Sequence, residues 1–148
     1  MRATQVAVIG SGAEHAAAAE EVGRLLGERG CVVVTGGGGE VMAAAMRGAK
    51  RAGGTTIAIL PGERHVDADE SADHVVVTGI GHARNLAVAA TGEAVIAVGG
   101  SWGTIAELAF AMRLGRRTVV LEPGVQLGGV ERAATPLEAV ELVLDRRR

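Results

Sequence analysis

The chain has 148 residues, 48% of them apolar, enough for one domain with a core that needs neither disulfide nor metal. Its 15 Lys and Arg against 17 Asp and Glu leave a net charge of −2, which excludes a general attraction to nucleic acid or an anionic membrane. With one Trp, one Phe and no Tyr, it also lacks the aromatic platforms on which single-stranded bases stack.

The first apolar run, Gln5 to Ile9, has no charged-then-apolar leader before it, and no later run is long enough to span a bilayer, so a cytoplasmic location is expected. Short β-branched runs at 5–9, 31–35, 55–60, 74–78, 94–98 and 118–121 predict strands. Ala- and Leu-rich stretches at 13–29, 40–52, 82–91, 103–114 and 136–146 predict helices between and after them. Val32-Val33-Val34 and Ala94 to Val98 are apolar without alternation, as parallel strands covered on both faces are. The expected fold is therefore α/β and Rossmann-like: a doubly wound, mostly parallel sheet with helices on both faces, forming a single domain over 1–148.

Punctuation agrees with this rhythm. Gly30, Gly53 and Gly115 stand where helices need left-handed C-caps. Cys31, the single cysteine, opens an apolar run and reads as a small buried hydrophobe. Segment 61–73 is irregular, polar and acidic, either a lid or a plain connection. Thr135, Pro136 and Glu138 predict a capping box with a preorganised start for the last helix, and Arg146 to Arg148 suit its C-terminus. Arg24, Arg29, Arg47, Arg51, Arg113, Arg116 and Arg117 fall on helix exteriors or ends and read as solvated.

In an open parallel sheet, ligands bind outside the C-terminal strand ends, near the point where strand order reverses. Four glycine-bearing loops should emerge on that rim: Gly10-Ser11-Gly12, Gly36 to Gly39, Gly79-Ile80-Gly81, and Gly99-Gly100-Ser101-Trp102-Gly103. The last lies between a strand and a helix, where backbone N–H groups crowd round an anion and the helix dipole adds positive potential. Together with Thr104 it reads as a phosphate cradle, and Glu107 on the following helical turn can face what the cradle holds.

Other glycine signatures do not fit. The first loop lacks the third glycine of a dinucleotide fingerprint, and the second strand ends in Thr35-Gly36 with no ribose-binding acid. No P-loop is present, and Lys50, the sole lysine, lies at the far end of a helix, which also counts against a pyridoxal phosphate Schiff base. Arg84 opens a helix, where its charge opposes the dipole, so contact with an anionic ligand or with Glu107 is expected. His82 is an acid or base, or else an N-cap. His15, His65 and His74 are scattered without metal-ligand spacing, and no metal is expected. Trp102 either covers a ligand ring or packs on a neighbouring helix or subunit, and Phe110 and Met112 suit core or subunit contact.

Val98 to Glu107 resembles the phosphate-binding motif of the LONELY GUY (LOG) phosphoribohydrolases, once misannotated as lysine decarboxylases, whose usual form is P-G-G-x-G-T-x-x-E. Gly100, Gly103, Thr104 and Glu107 agree, while Gly99 takes the proline position and Ser101 that of the second glycine. Arg84 matches the arginine of the family's R-K pair, with Asn85 in place of lysine. Thr35 to Met42, Arg47-Gly48-Ala49 and Ala52-Gly53-Gly54 also look like the family's second loop and helix, so the resemblance covers most of 5–121. The form with Gly-His-Ala-Arg-Asn is more similar to a short bacterial subgroup of the LOG-like superfamily that includes proteins like the molybdenum cofactor carrier protein. The resemblance implies a Rossmann-like fold and a homodimer.

Two functions follow as expectations. In the first, the protein hydrolyses the N-glycosidic bond of a nucleoside 5′-monophosphate to a base and ribose 5-phosphate through an oxocarbenium-like sugar. Loop 99–104 then holds the phosphate, Glu107 contacts the ribose hydroxyls or positions water, and Arg84 binds the ligand and polarises the leaving side. Gly10, Ser11, Gly37, Gly38 and Gly39 line the rest of the pocket. In the second, the same cradle carries or senses a phosphorylated, nucleotide-like ligand such as molybdenum cofactor without chemistry. In both the partner is a small phosphorylated ligand, not nucleic acid or membrane, and no further cofactor is implied.

Overall fold

Unbroken apolar strands in the middle of a sheet cannot leave either face in water, and here both faces of the central strands are covered, while Val76 on an edge strand stays exposed. The computed structural model describes residues 2–146. In chain order its elements are β1 (Gln5–Ser11), α1 (Ala16–Glu28), β2 (Val32–Thr35), α2 (Glu40–Arg51), β3 (Thr55–Leu60), β4 (His74–Val77), α3 (Arg84–Thr91), β5 (Ala94–Gly99), α4 (Trp102–Arg113), β6 (Arg117–Leu121), β7 (Glu131–Ala133) and α5 (Pro136–Leu144). Single 3₁₀ turns at Ala13–His15, His65–Asp67 and Gly81–Ala83 lead into three of the later segments.

The seven strands form one parallel sheet in the order β4-β3-β2-β1-β5-β6-β7. The chain winds outward from β1 to β4, then crosses to the other side of β1 and winds outward again. Strand order thus reverses between β1 and β5. Side chains of β1 divide by parity: Val6 and Val8 join the core under α1, α2 and α5, while Ala7 and Ile9 join the core under α3 and α4. All of β5 is buried, which is why its sequence shows no alternation.

The layer of α1 and α2 is held by very close packing. A Cβ on Gly23 would lie 1.9 Å from the carbonyl oxygen of Ala45, and one on Gly48 would lie 1.9 Å from that of Glu20. The two backbones touch where either helix lacks a side chain.

The doubly wound sheet matches the expected fold, and the glycine caps behave as read, with φ of +73° at Gly30, +77° at Gly53 and +73° at Gly115. The N-cap of α5 forms as well: the Glu138 N–H donates to Thr135 Oγ1 at 3.1 Å, and the Glu138 carboxylate accepts from the Ala134 N–H at 3.2 Å. Helix α5 ends at Leu144, so the arginine run starts beyond it, and Arg147 and Arg148 lie outside the described residues. Cys31 is buried just before β2.

Three expectations need correction. Strand β7, Glu-Arg-Ala at the sheet edge, carries no apolar run and gave no strand signal. The helices expected from 13 and 82 each begin with a 3₁₀ turn and become α-helical at Ala16 and Arg84. Arg116 and Arg117 are part-buried ties: Arg116 Nη2 donates to Ala90 O at 2.9 Å, and Arg117 Nε pairs with Glu131 at 3.0 Å.

Gly48→Ala should cost about 3 kcal/mol, since an added methyl must separate two packed backbones. Thermal denaturation read by circular dichroism checks this, and a change within 0.5 kcal/mol would show that α1 and α2 part freely.

Candidate functional site

Because all strands run the same way, the loops that follow β1 and β5 leave the sheet side by side at the reversal point. The β1/β5 ladder continues to its last residues, Gly10 against Val98 and Ser11 against Gly99. This closeness depends on glycine: a Cβ at Gly10 would lie 1.8 Å from Val98 O. The loop after β5 then turns through Gly99 at φ +62° and Gly100 at φ +123°. Proline is fixed near φ −65°, so the loop cannot begin with proline in this conformation. That is a physical reason for the departure at Gly99.

Thr104 braces the turn from within α4. Its Oγ1 accepts from the Ser101 N–H at 3.3 Å, and its side chain fills the space that a Cβ on Gly100 would enter. The Ile105 N–H makes an early helical bond, to Ser101 O at 3.1 Å, so the amides of Trp102, Gly103 and Thr104 stand ahead of the helix ladder, and that of Thr104 is capped by the Ser101 side chain. Ser101, Trp102 and Gly103 are exposed, and nothing lies within 4 Å of the Gly103 Cβ position. Trp102 is 83% exposed, so it does not pack on a neighbouring helix of its own chain.

The loop after β2 approaches from the other side. The Gly37 N–H donates to Thr35 Oγ1 at 3.0 Å, while Gly37 O accepts from the Asp69 N–H at 3.0 Å. Segment 61–73 is thereby tied to the second glycine loop, and its far end is anchored where Asp73 pairs with Lys50 at 2.8 Å. Gly38 and Gly39 remain exposed.

Arg84, at the start of α3, reaches across this loop. Its Nη1 donates to Gly36 O at 2.6 Å and to Ile59 O at 3.1 Å, which joins the ends of β2 and β3 to α3. Its Nε is buried without a hydrogen-bond partner. Glu107 on α4 faces it through space, and no ion pair joins the two among the described residues. Burial pushes the Glu107 carboxyl up to about 7, against the pull of the Arg84 guanidinium. Burial likewise lowers the Arg84 pKa, and the Glu107 charge opposes that shift. His82 is exposed on the 3₁₀ turn and makes no cap bond.

The sequence reading missed His15. From the turn after β1 its ring reaches the fifth-strand loop, so that a Cβ on Gly99 would fall 2.3 Å from both His15 Cδ2 and Ser11 O. Its one available signal was position, at the start of the helix after the first glycine loop. An indentation of about 680 Å³ lined by Arg2, Gln5, Thr91, Glu93 and Arg116 lies at the opposite pole, where β1 and β5 begin, and has none of the free helix-start amides.

A family model, the SLOG cluster4 family, matches residues 3–143. The chain belongs to that family. It is 41% identical over 143 residues to an uncharacterized protein of Archaeoglobus fulgidus, covering 95% of this chain and 94% of that one. Its fold is similar to that of the molybdenum cofactor binding protein of Rippkaea orientalis (TM-score 0.89, 31% identity, 97% and 96% of the two chains). It is also similar to the molybdenum cofactor carrier protein of Chlamydomonas reinhardtii (TM-score 0.85, 32% identity, 96% of each chain). The LOG-like family and the carrier-like subgroup expected from the motifs are therefore correct.

The raised Glu107 pKa has a signed consequence for this family member. As pH rises from the unfolded carboxyl value towards 7, the unfolded chain releases its proton first, and the folded state loses stability. Glu107→Gln should therefore stabilise by roughly 2 kcal/mol at pH 8 and by about zero at pH 4. Urea denaturation at both pH values measures it, and equal effects at both would disprove the linkage.

Proposed function

We propose that this protein carries a phosphorylated, nucleotide-like ligand of the molybdenum cofactor kind, holding its phosphate at loop 99–104 without breaking a bond in it. The observation that carries the reading is the engagement of Arg84. Its Nη1 is bound to the carbonyls of Gly36 and Ile59, so the guanidinium holds the second loop in place and that nitrogen is not free to act on a leaving group. Full-length likeness to one molybdenum cofactor binding protein and one carrier supports the same reading.

In this reading the amides of Trp102 and Gly103 and the positive end of α4 receive the phosphate, beside Thr104, whose own N–H is capped by the Ser101 side chain. Gly99, Gly100 and Ser101 bring the backbone close to it. Gly10 and Ser11 form the floor, and Gly37, Gly38 and Gly39 line the side facing α2. Trp102, standing free, covers a ring of the ligand. Glu107 and Arg84 orient it by charge.

One observation favours hydrolysis of a nucleoside 5′-monophosphate instead. A carboxyl held at about 7 is tuned for proton transfer near neutral pH. Such a group would protonate a departing base while water adds to the anomeric carbon, giving ribose 5-phosphate.

Chromatography of protein incubated with a panel of nucleoside monophosphates separates the two. The carrier reading expects no free base, with adenosine 5′-monophosphate binding followed by Trp102 fluorescence and weakened no more than about threefold by Glu107→Gln. Base release that disappears in that variant would replace the carrier with a glycosidase.

A second copy of the chain covers the exposed apolar residues Leu86 on α3 and Phe110, Met112 and Leu114 on or just after α4. Sedimentation should give twice the monomer mass, and Phe110→Asp should give the monomer. A monomeric wild type would remove the dimer from this account.

A further inference from the structure

Two successive glycines with positive φ have little to support their own conformation, since neither has a side chain to limit it. Something outside the pair must hold Gly99 and Gly100 in place. Thr104 covers Gly100 from α4. Gly99 is covered from the other side of the sheet: the space at its Cα is closed by Ser11 O and by Cδ2 and Cγ of His15. His15 is directed there by a tight turn in which its own N–H donates to Gly12 O at 3.0 Å. Its side chain is 20% exposed, and Nε2 lies 3.5 Å from Glu14 Oε1. The same ring would also touch a Cβ on Gly12, at 3.0 Å, so it fills the gap between the loops after β1 and β5.

We propose that His15 is the positioning residue of the cradle: its imidazole, wedged between the β1 loop and Gly99, fixes the Gly99-Gly100 turn and so the direction of the amides that open α4. The ring restrains Gly99 by packing from the 3₁₀ turn that precedes α1, whereas proline in the loop itself could not adopt the φ of +62°. Its shape is what matters, and its nitrogens do not touch the ligand. The consequence for affinity rests on the phosphate-site reading of loop 99–104, whereas the consequence for loop order does not.

The test compares wild type, His15→Ala and His15→Phe by hydrogen exchange of the 99–104 amides, with adenosine 5′-monophosphate binding followed by Trp102 fluorescence. His15→Ala should speed exchange at 99–101 about tenfold while the amides of β1 and the middle of α1 keep their protection, and it should weaken the nucleotide by a similar factor. His15→Phe, which restores a ring without nitrogens, should return both towards wild type. Unchanged exchange at 99–101 in His15→Ala would overturn the proposal, as would equal loss across β1 and α1, or failure of phenylalanine to rescue. A wild type that binds no nucleotide while His15→Ala still loosens 99–101 would overturn the phosphate reading and leave the positioning role standing.

Discussion

The close backbone approach of β1 and β5 at their C-terminal ends is the constraint on which the site depends. Parallel pairing there runs through to Ser11 and Gly99, and the two chains leave the sheet for opposite faces, one into α1 and the other into α4. A crevice at a reversal point is a property of the topology, but its depth at this point is set by residue size. At Gly10 any side chain would enter the Val98 carbonyl, and at Gly99 it would enter that of Ser11. Glycine here is a requirement of two strands that touch along their whole length, and the free amides of α4 lie where that contact ends.

Around this crevice the charges are placed at a cost. Burial raises the Glu107 pKa and lowers that of Arg84, so each would be easier to hold neutral, and their mutual attraction opposes both shifts. Arg84 recovers part of its desolvation through two carbonyl oxygens, yet its buried Nε remains without a partner. A group so placed fixes the geometry of the β2 and β3 ends. Segment 61–73, bonded to Gly37, is carried along with that frame and is not an independent flap.

The fold was legible because each local signal agreed with the others. Buried strands showed as unbroken apolar runs, and helix ends showed as glycines with room for positive φ. Strand β7 escaped because a three-residue polar edge strand leaves no pattern, its pairing being settled by β6. Of the candidate site, the sequence spacing placed the glycine loops at the C-terminal strand ends and Glu107 on the helix after the last of them, which is where they stand in the fold. The partners of Arg84 could not be read in this way, because backbone carbonyls of Gly36 and Ile59 have no sequence signature. His15 was hidden for a related reason: its neighbour Gly99 is 84 residues away, and a packing contact between a ring and a glycine leaves no motif.

Anion binding and bond breaking make different demands on such a site. The first needs backbone amides, a helix start and glycines that let a ligand come near, and none of these requires a particular side chain at the positions where this chain departs from P-G-G-x-G-T-x-x-E. Ser101 in place of glycine takes up the Thr104 N–H but not those of Trp102 and Gly103, and Gly99 in place of proline is covered by His15 from the turn after β1. The second needs charged groups at liberty to change partners along the reaction. Here Arg84 is tied by Nη1 to the scaffold, and Asn85 cannot supply the positive charge of the lysine in the R-K pair. The substitutions therefore fall more heavily on chemistry than on holding, which is the physical ground for the proposal that loop 99–104 belongs to a carrier.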